Sequence, residues 1–101
     1  MGLTVRIPKI SNTTTRVTTT YTIQRGDGTI YCDTDIGGAF TVTLPPGVAG
    51  DTFRIINVGS SGDDLTIAPD GAELLIGVNA SKTISDGTVV ILTYETTEGW
   101  W

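Results

Sequence analysis

Phe40 to Val58 reads FTVTLPPGVAGDTFRIINV, and this stretch decides the fold class. Phe40, Val42 and Leu44 alternate with Thr41 and Thr43, the period of a half-buried strand. Pro45-Pro46-Gly47 stops it. Thr52 to Val58 is denser, because Phe53, Ile55, Ile56 and Val58 put apolar groups on both faces. Such a strand is central in its sheet or covered by another subunit.

The same punctuation continues in both directions. Downstream, Leu65 and Ile67 make a short strand ended by Pro69-Asp70-Gly71, Leu74 to Ile76 follow, and Ser81 to Ile84 is another short segment. Thr88 to Tyr94 is the strongest strand, with Val89, Ile91 and Thr93 facing one way and Val90, Leu92 and Tyr94 the other. Upstream, Val17 to Ile23 is expected to pair through a Gly26-Asp27-Gly28 hairpin with Thr29 to Asp33. No stretch sustains a 3.6-residue period. Short strands at roughly ten-residue spacing, split by Gly, Pro and Asp, predict an all-β fold, a small antiparallel β-sandwich or barrel of the jelly-roll kind. Residues 15–101 are read as that single domain.

Composition agrees and removes chemistry. The 101 residues hold one domain at most, charged residues are 17%, and mean hydropathy is +0.12. The chain has no His, so the commonest general base and imidazole ligand are missing. Cys32 is the only cysteine, which excludes an internal disulfide and a cysteine-based zinc site. It reads as a small buried apolar residue, with no neighbouring base to make a reactive thiolate. These absences argue for a structural or binding protein without a cofactor, not an enzyme. No apolar run approaches the roughly 18 residues of a membrane span, so no membrane partner is expected.

Charge is uneven. Arg6, Lys9, Arg16 and Arg25 make the first 25 residues basic, while the remainder carries all eleven acids against Arg54 and Lys82. Residues 1–14 read as an extended arm in which Leu3, Val5 and Ile7 alternate with Thr4 and Arg6 until Pro8. Leu3, Val5, Arg6, Ile7, Lys9 and Arg16 are the expected contacts of a basic leading segment with an acidic partner surface; solvated charges on an edge strand are the plainer alternative. Four basic residues without a clustered, aromatic-lined face fall short of a nucleic-acid footprint.

Other motifs have ordinary explanations. Arg25-Gly26-Asp27 spells an adhesion tripeptide but reads as a charged turn. Asp33-Thr34-Asp35 and Asp63-Asp64 lack a loop supplying six or more oxygens to Ca²⁺ and read as turn acids. Trp100 and Trp101 offer indole faces to a sugar or to a subunit contact, and packing is the expectation for one of them.

From Phe40 onward the order of elements resembles a β-rich module of tailed-bacteriophage virion proteins, found in capsid decoration (cement) proteins, tail fibres and tail spikes. The residues that carry it are Thr41 to Pro45, Phe53 to Asn57, Thr66 to Pro69, Gly71 to Gly77, and Thr88 to Trp101. The resemblance implies a homotrimer on a virion. Because tail fibres embed the module in a longer polypeptide, a short chain opening on Met1 points to a decoration protein bound to the major capsid protein. The alternative is a tail-fibre or spike module whose loops at 59–64 and 95–99 contact host surface glycan. In the trimer, Ile56, Val90, Leu92 and Trp100 are the expected subunit contacts.

Overall fold

The computed structural model describes residues 13–101. Nine strands and one helical turn follow in order: β1 Thr14–Val17, β2 Tyr21–Thr22, β3 Thr29–Cys32, α1 Thr34–Gly37, β4 Phe40–Thr43, β5 Thr52–Asn57, β6 Leu65–Ala68, β7 Lys82–Ile84, β8 Val89–Glu95 and β9 Gly99–Trp100. Among the described residues they form a five-stranded sheet, β1-β3-β5-β8-β9, and a four-stranded sheet, β2-β4-β6-β7. The fold is all-β, with the two sheets packed on one core.

The sheets are mixed, which corrects the antiparallel jelly-roll expectation. From β1 to β6 the chain changes sheet at every step, so strands of one sheet run in the same direction: β1, β3 and β5 pair in parallel, as do β2, β4 and β6. A parallel pair needs a crossover, and here each crossover is a strand of the opposite sheet. The result is a short two-sheet coil. Only the last turn reverses, with β7 antiparallel to β6 and β8 antiparallel to β5.

Two local expectations change for the same reason. The strand read over Val17 to Ile23 is two strands, β1 and β2, on different sheets, broken at Thr18 to Thr20. Gly26-Asp27-Gly28 is not a hairpin but a corner that carries the chain from β2 across to β3. Asp27 holds that corner: its Oδ2 accepts from the Tyr21 hydroxyl and from the Gln24 amide (2.8 Å), and its Oδ1 from Thr15 Oγ1 (3.2 Å). Gly26 supplies the corner's positive φ of 102°.

The alternation read from the sequence fills the interior. Val17, Ile30, Cys32, Phe53, Ile55 and Leu92 come from one sheet, and Phe40, Val42, Leu65 and Ile67 from the other, all buried. Each aliphatic side chain so covered contributes roughly 1.5–3 kcal/mol by leaving water. Phe53 and Tyr94 meet Trp100 at ring-centroid distances of 5.8 and 5.2 Å, closing the core at its β9 edge. β5 is central in its sheet, as its two-faced apolar pattern predicts.

Candidate functional site

Strand parity determines what each sheet shows to solvent. On the four-stranded sheet, Thr41, Thr66 and Thr83 lie in one cross-strand row, and Thr22, Thr43 and Ala68 in the next. These positions alternate with the buried Phe40, Val42, Leu65 and Ile67, so they face outward. Threonine satisfies water there while keeping strand propensity.

The outer face of the five-stranded sheet is finished differently. One row runs Arg16, Tyr31, Ile56, Val89, and the next runs Thr14, Thr29, Arg54, Ile91. Val89, which opens the seven-residue β8, is 51% exposed, and Ile91, two residues further on, is 49% exposed. Trp101 exchanges backbone hydrogen bonds with Thr93 and is 55% exposed, so it extends the apolar run toward the sheet edge. Ile56, Val89, Ile91 and Trp101 thus share one outer sheet face, interleaved with Arg16 and Arg54.

Of the four expected subunit contacts, Ile56 alone faces outward, half-buried in the middle of this surface. Leu92 and Trp100 are buried inside the chain's own core, and Val90 packs half-buried against it. Parity explains this: Val90 pairs with the buried Ile55, and Leu92 with the buried Phe53. Val89 and Ile91 are therefore the β8 residues available to a partner. The sequence shows two apolar faces on this strand, and only the register with β5 decides between them.

Leu3, Val5, Arg6, Ile7 and Lys9 lie outside the described residues. Thr14, the last residue of the expected arm, stands in β1. Arg16 belongs to the same strand, is exposed, and donates to Asp33 Oδ2. Arg54 has no ion pair among the described residues.

The acids mostly organise loops. Asp33 caps α1 through the Asp35 amide (3.1 Å). Asp35 accepts from the Ser60 and Ser61 amides, each at 2.9 Å, and from Ser60 Oγ. These bonds, the Ser60 amide foremost, hold the Asp35 carboxyl below the usual carboxylate range. Asp86 Oδ2 accepts from the Gly62 amide at 2.7 Å. Among the described residues no group of three or more His, Cys, Asp or Glu is placed to hold a metal ion. In the Arg25-Gly26-Asp27 tripeptide, Arg25 pairs with Asp51 at 3.1 Å and Asp27 is occupied by its corner. Burial pushes the Cys32 thiol up to about 12.

The loops at 59–64 and 95–99 lie at opposite ends of the sheet, since β5 and β8 run antiparallel and the loops follow their respective C-terminal ends. They form no joint surface. An open cleft of about 370 Å³ flanks the second loop alone, lined by Asp70, Glu73, Leu74, Tyr94, Thr96 and Thr97. Glu73 is already engaged: it accepts from the Gly47 amide at 2.9 and 3.1 Å and from Trp100 Nε1 at 3.2 Å.

No family model matches the chain, and no curated protein matches its sequence.

Proposed function

We propose that this chain is a virion structural protein of a tailed bacteriophage, a capsid decoration protein that binds the assembled shell as a homotrimer and stabilises it. The observation behind the reading is the contrast between the two outer faces, one finished in threonine and the other in Tyr31, Ile56, Val89 and Ile91. Water contact is relieved on the second face when another protein surface covers it, at roughly 25 cal/mol per Å² of apolar area. A ligand that binds only the assembled lattice favours that lattice by mass action. The proposed mechanism needs surface complementarity and no reacting group.

The reading is tested by light scattering of the purified chain and by counting copies in purified particles with mass spectrometry. Three chain masses in solution and hundreds of copies per particle are expected. A monomer at every concentration, or a few dozen copies per particle, overturns it. Removing residues 1–12, which leaves β1 whole, is expected to abolish attachment to capsids while the body stays folded.

The cleft favours a second reading, a host-glycan module of a tail fibre or spike. Asp70, Thr96 and Thr97 supply hydrogen-bonding groups to a cleft that Tyr94 also lines, and sugar hydroxyls need such partners. Binding to host cells that survives removal of residues 1–12, without capsid attachment, selects this reading.

A further inference from the structure

The apolar sheet face carries one unsatisfied charge. From Thr14 to Thr93 the outward positions of β1, β3, β5 and β8 include Arg16 and Arg54 and no acid among the described residues. Asp33 neutralises Arg16, but Arg54 stands exposed between Thr29 and Ile91 without a carboxylate. Glu95 is the first acid in that parity, and the Thr97 and Glu98 amides hold its carboxylate at the far end of β8. Arg6 and Lys9 of the leading segment carry the same sign as Arg54 and offer it no charge partner.

One end of the body has the opposite character. It holds Ile36, which at 71% is the most exposed large apolar side chain among the described residues. Asp35 precedes it and fastens the 59–64 loop through the Ser60 and Ser61 amides, which places Asp63 and Asp64 at the same end. Asp64 is exposed. An apolar knob with fixed acids thus complements an apolar face with an unpaired cation.

We propose that the outer face of β5 and β8 docks the Ile36–Asp64 end of a second copy of this chain, with Arg54 meeting Asp63 or Asp64 and Ile36 covering Val89 and Ile91. The two surfaces are different parts of the molecule, so the contact is heterologous and closes into a ring when the rotation allows it. This is the contact a cyclic trimer requires, and it rests on the trimeric reading above while specifying which surfaces meet. Complementary charges set the register, and the apolar groups supply most of the affinity.

The test is sedimentation of the full chain over a concentration series, with circular dichroism to verify folding. R54E and D64R each place like charges together, and each is expected to raise the dissociation constant at least about tenfold. Because the contact is head to tail, R54E and D64R combined in one chain restore opposite charges and recover most of the lost association. I91T, which copies the threonine finish of the other sheet, weakens association without touching charge. Arg54 and Ile91 are exposed, so both variants are expected to keep the native spectrum. A wild-type oligomer insensitive to R54E and I91T overturns the docking proposal and leaves the trimeric reading standing. Weakening by R54E without recovery in the double variant overturns the acidic end as its occupant. A wild-type monomer at all concentrations overturns both.

Discussion

Two side chains that gather loops at opposite ends of the sandwich differ in charge, Asn57 being neutral and Glu73 a carboxylate. At the end where β3 and β5 finish, Asn57 is fully buried and makes every bond its amide can make well: Oδ1 accepts from Thr34 Oγ1 (2.9 Å) and the Gly59 amide (3.0 Å), and Nδ2 donates to the carbonyls of Asp63 (3.0 Å) and Ile84 (3.1 Å). At the opposite end Glu73, half-buried, collects the Gly47 amide and the Trp100 indole. Strands of two to seven residues leave many loop groups to be satisfied by side chains, and Asn57 and Glu73 are two that do so at opposite ends. Asn57, cut off from water, both donates and accepts without charge, whereas at the half-buried Glu73 a carboxylate that only accepts is tolerated.

Isosteric exchanges in opposite senses break this contrast most directly. Asn57→Asp replaces two donated bonds with a carboxylate facing two carbonyls, and is expected to cost about 3–5 kcal/mol in urea unfolding at neutral pH. The loss shrinks in acid, where the introduced carboxyl is protonated. Gly59→Ala attacks the same end sterically, because a Cβ there lies 2.0 Å from Thr34 Oγ1. Its expected cost is about 1–3 kcal/mol, read as a lower urea midpoint with unchanged slope. Glu73→Gln keeps an acceptor for Trp100 and removes the charge, and about 1 kcal/mol is expected. A Glu73→Gln loss as large as that of Asn57→Asp contradicts the contrast.

Alkali probes both ends at once. Cys32 pairs with Asn57 at one end, and its pKa is raised to about 12 by burial. The Tyr21 hydroxyl reaches the Asp27 corner at the other end, and that hydrogen bond, with burial and the carboxylate's charge, raises its pKa to about 12. Both pKa values are raised on folding, so their contributions are whole below the ordinary thiol and phenol values and are lost as pH climbs toward about 12. Melting temperature is expected to fall across that window, and Tyr21→Phe to remove the phenol's part while leaving the thiol's. The smallest effect belongs to Arg16→Ala, which breaks an ion pair with an exposed arginine and is expected to change stability by about 0–1 kcal/mol.

The strands were readable because alternation of threonine with Val, Ile, Leu and Phe depends only on period. Thr41 and Thr43 face water and Phe40 and Val42 the core, as that pattern requires. Direction and sheet membership were not readable. A corner that changes sheet and a hairpin that stays within one use the same Gly and Asp residues, and Asp27 resolves the choice through Tyr21 and Thr15, contacts across several residues. For the candidate surface, Ile56 followed from a strand apolar on both sides, whereas Val89 and Ile91 needed the register with β5. Asn57 also escaped notice, since a polar residue ending a strand ordinarily faces solvent; here it continues the inward parity of Phe53 and Ile55.

Because β1 to β6 wind as successive coils around one axis, the length of this body is quantised. One more coil would add a strand to each sheet and about 4.8 Å to the stack, without altering what lies on either side of it. The reversing β7–β8 turn stops such growth at one side, whereas β1 and β2 are the outermost strands at the other. A variant with an inserted copy of the β3–β4 coil would therefore be a taller version of the same protein.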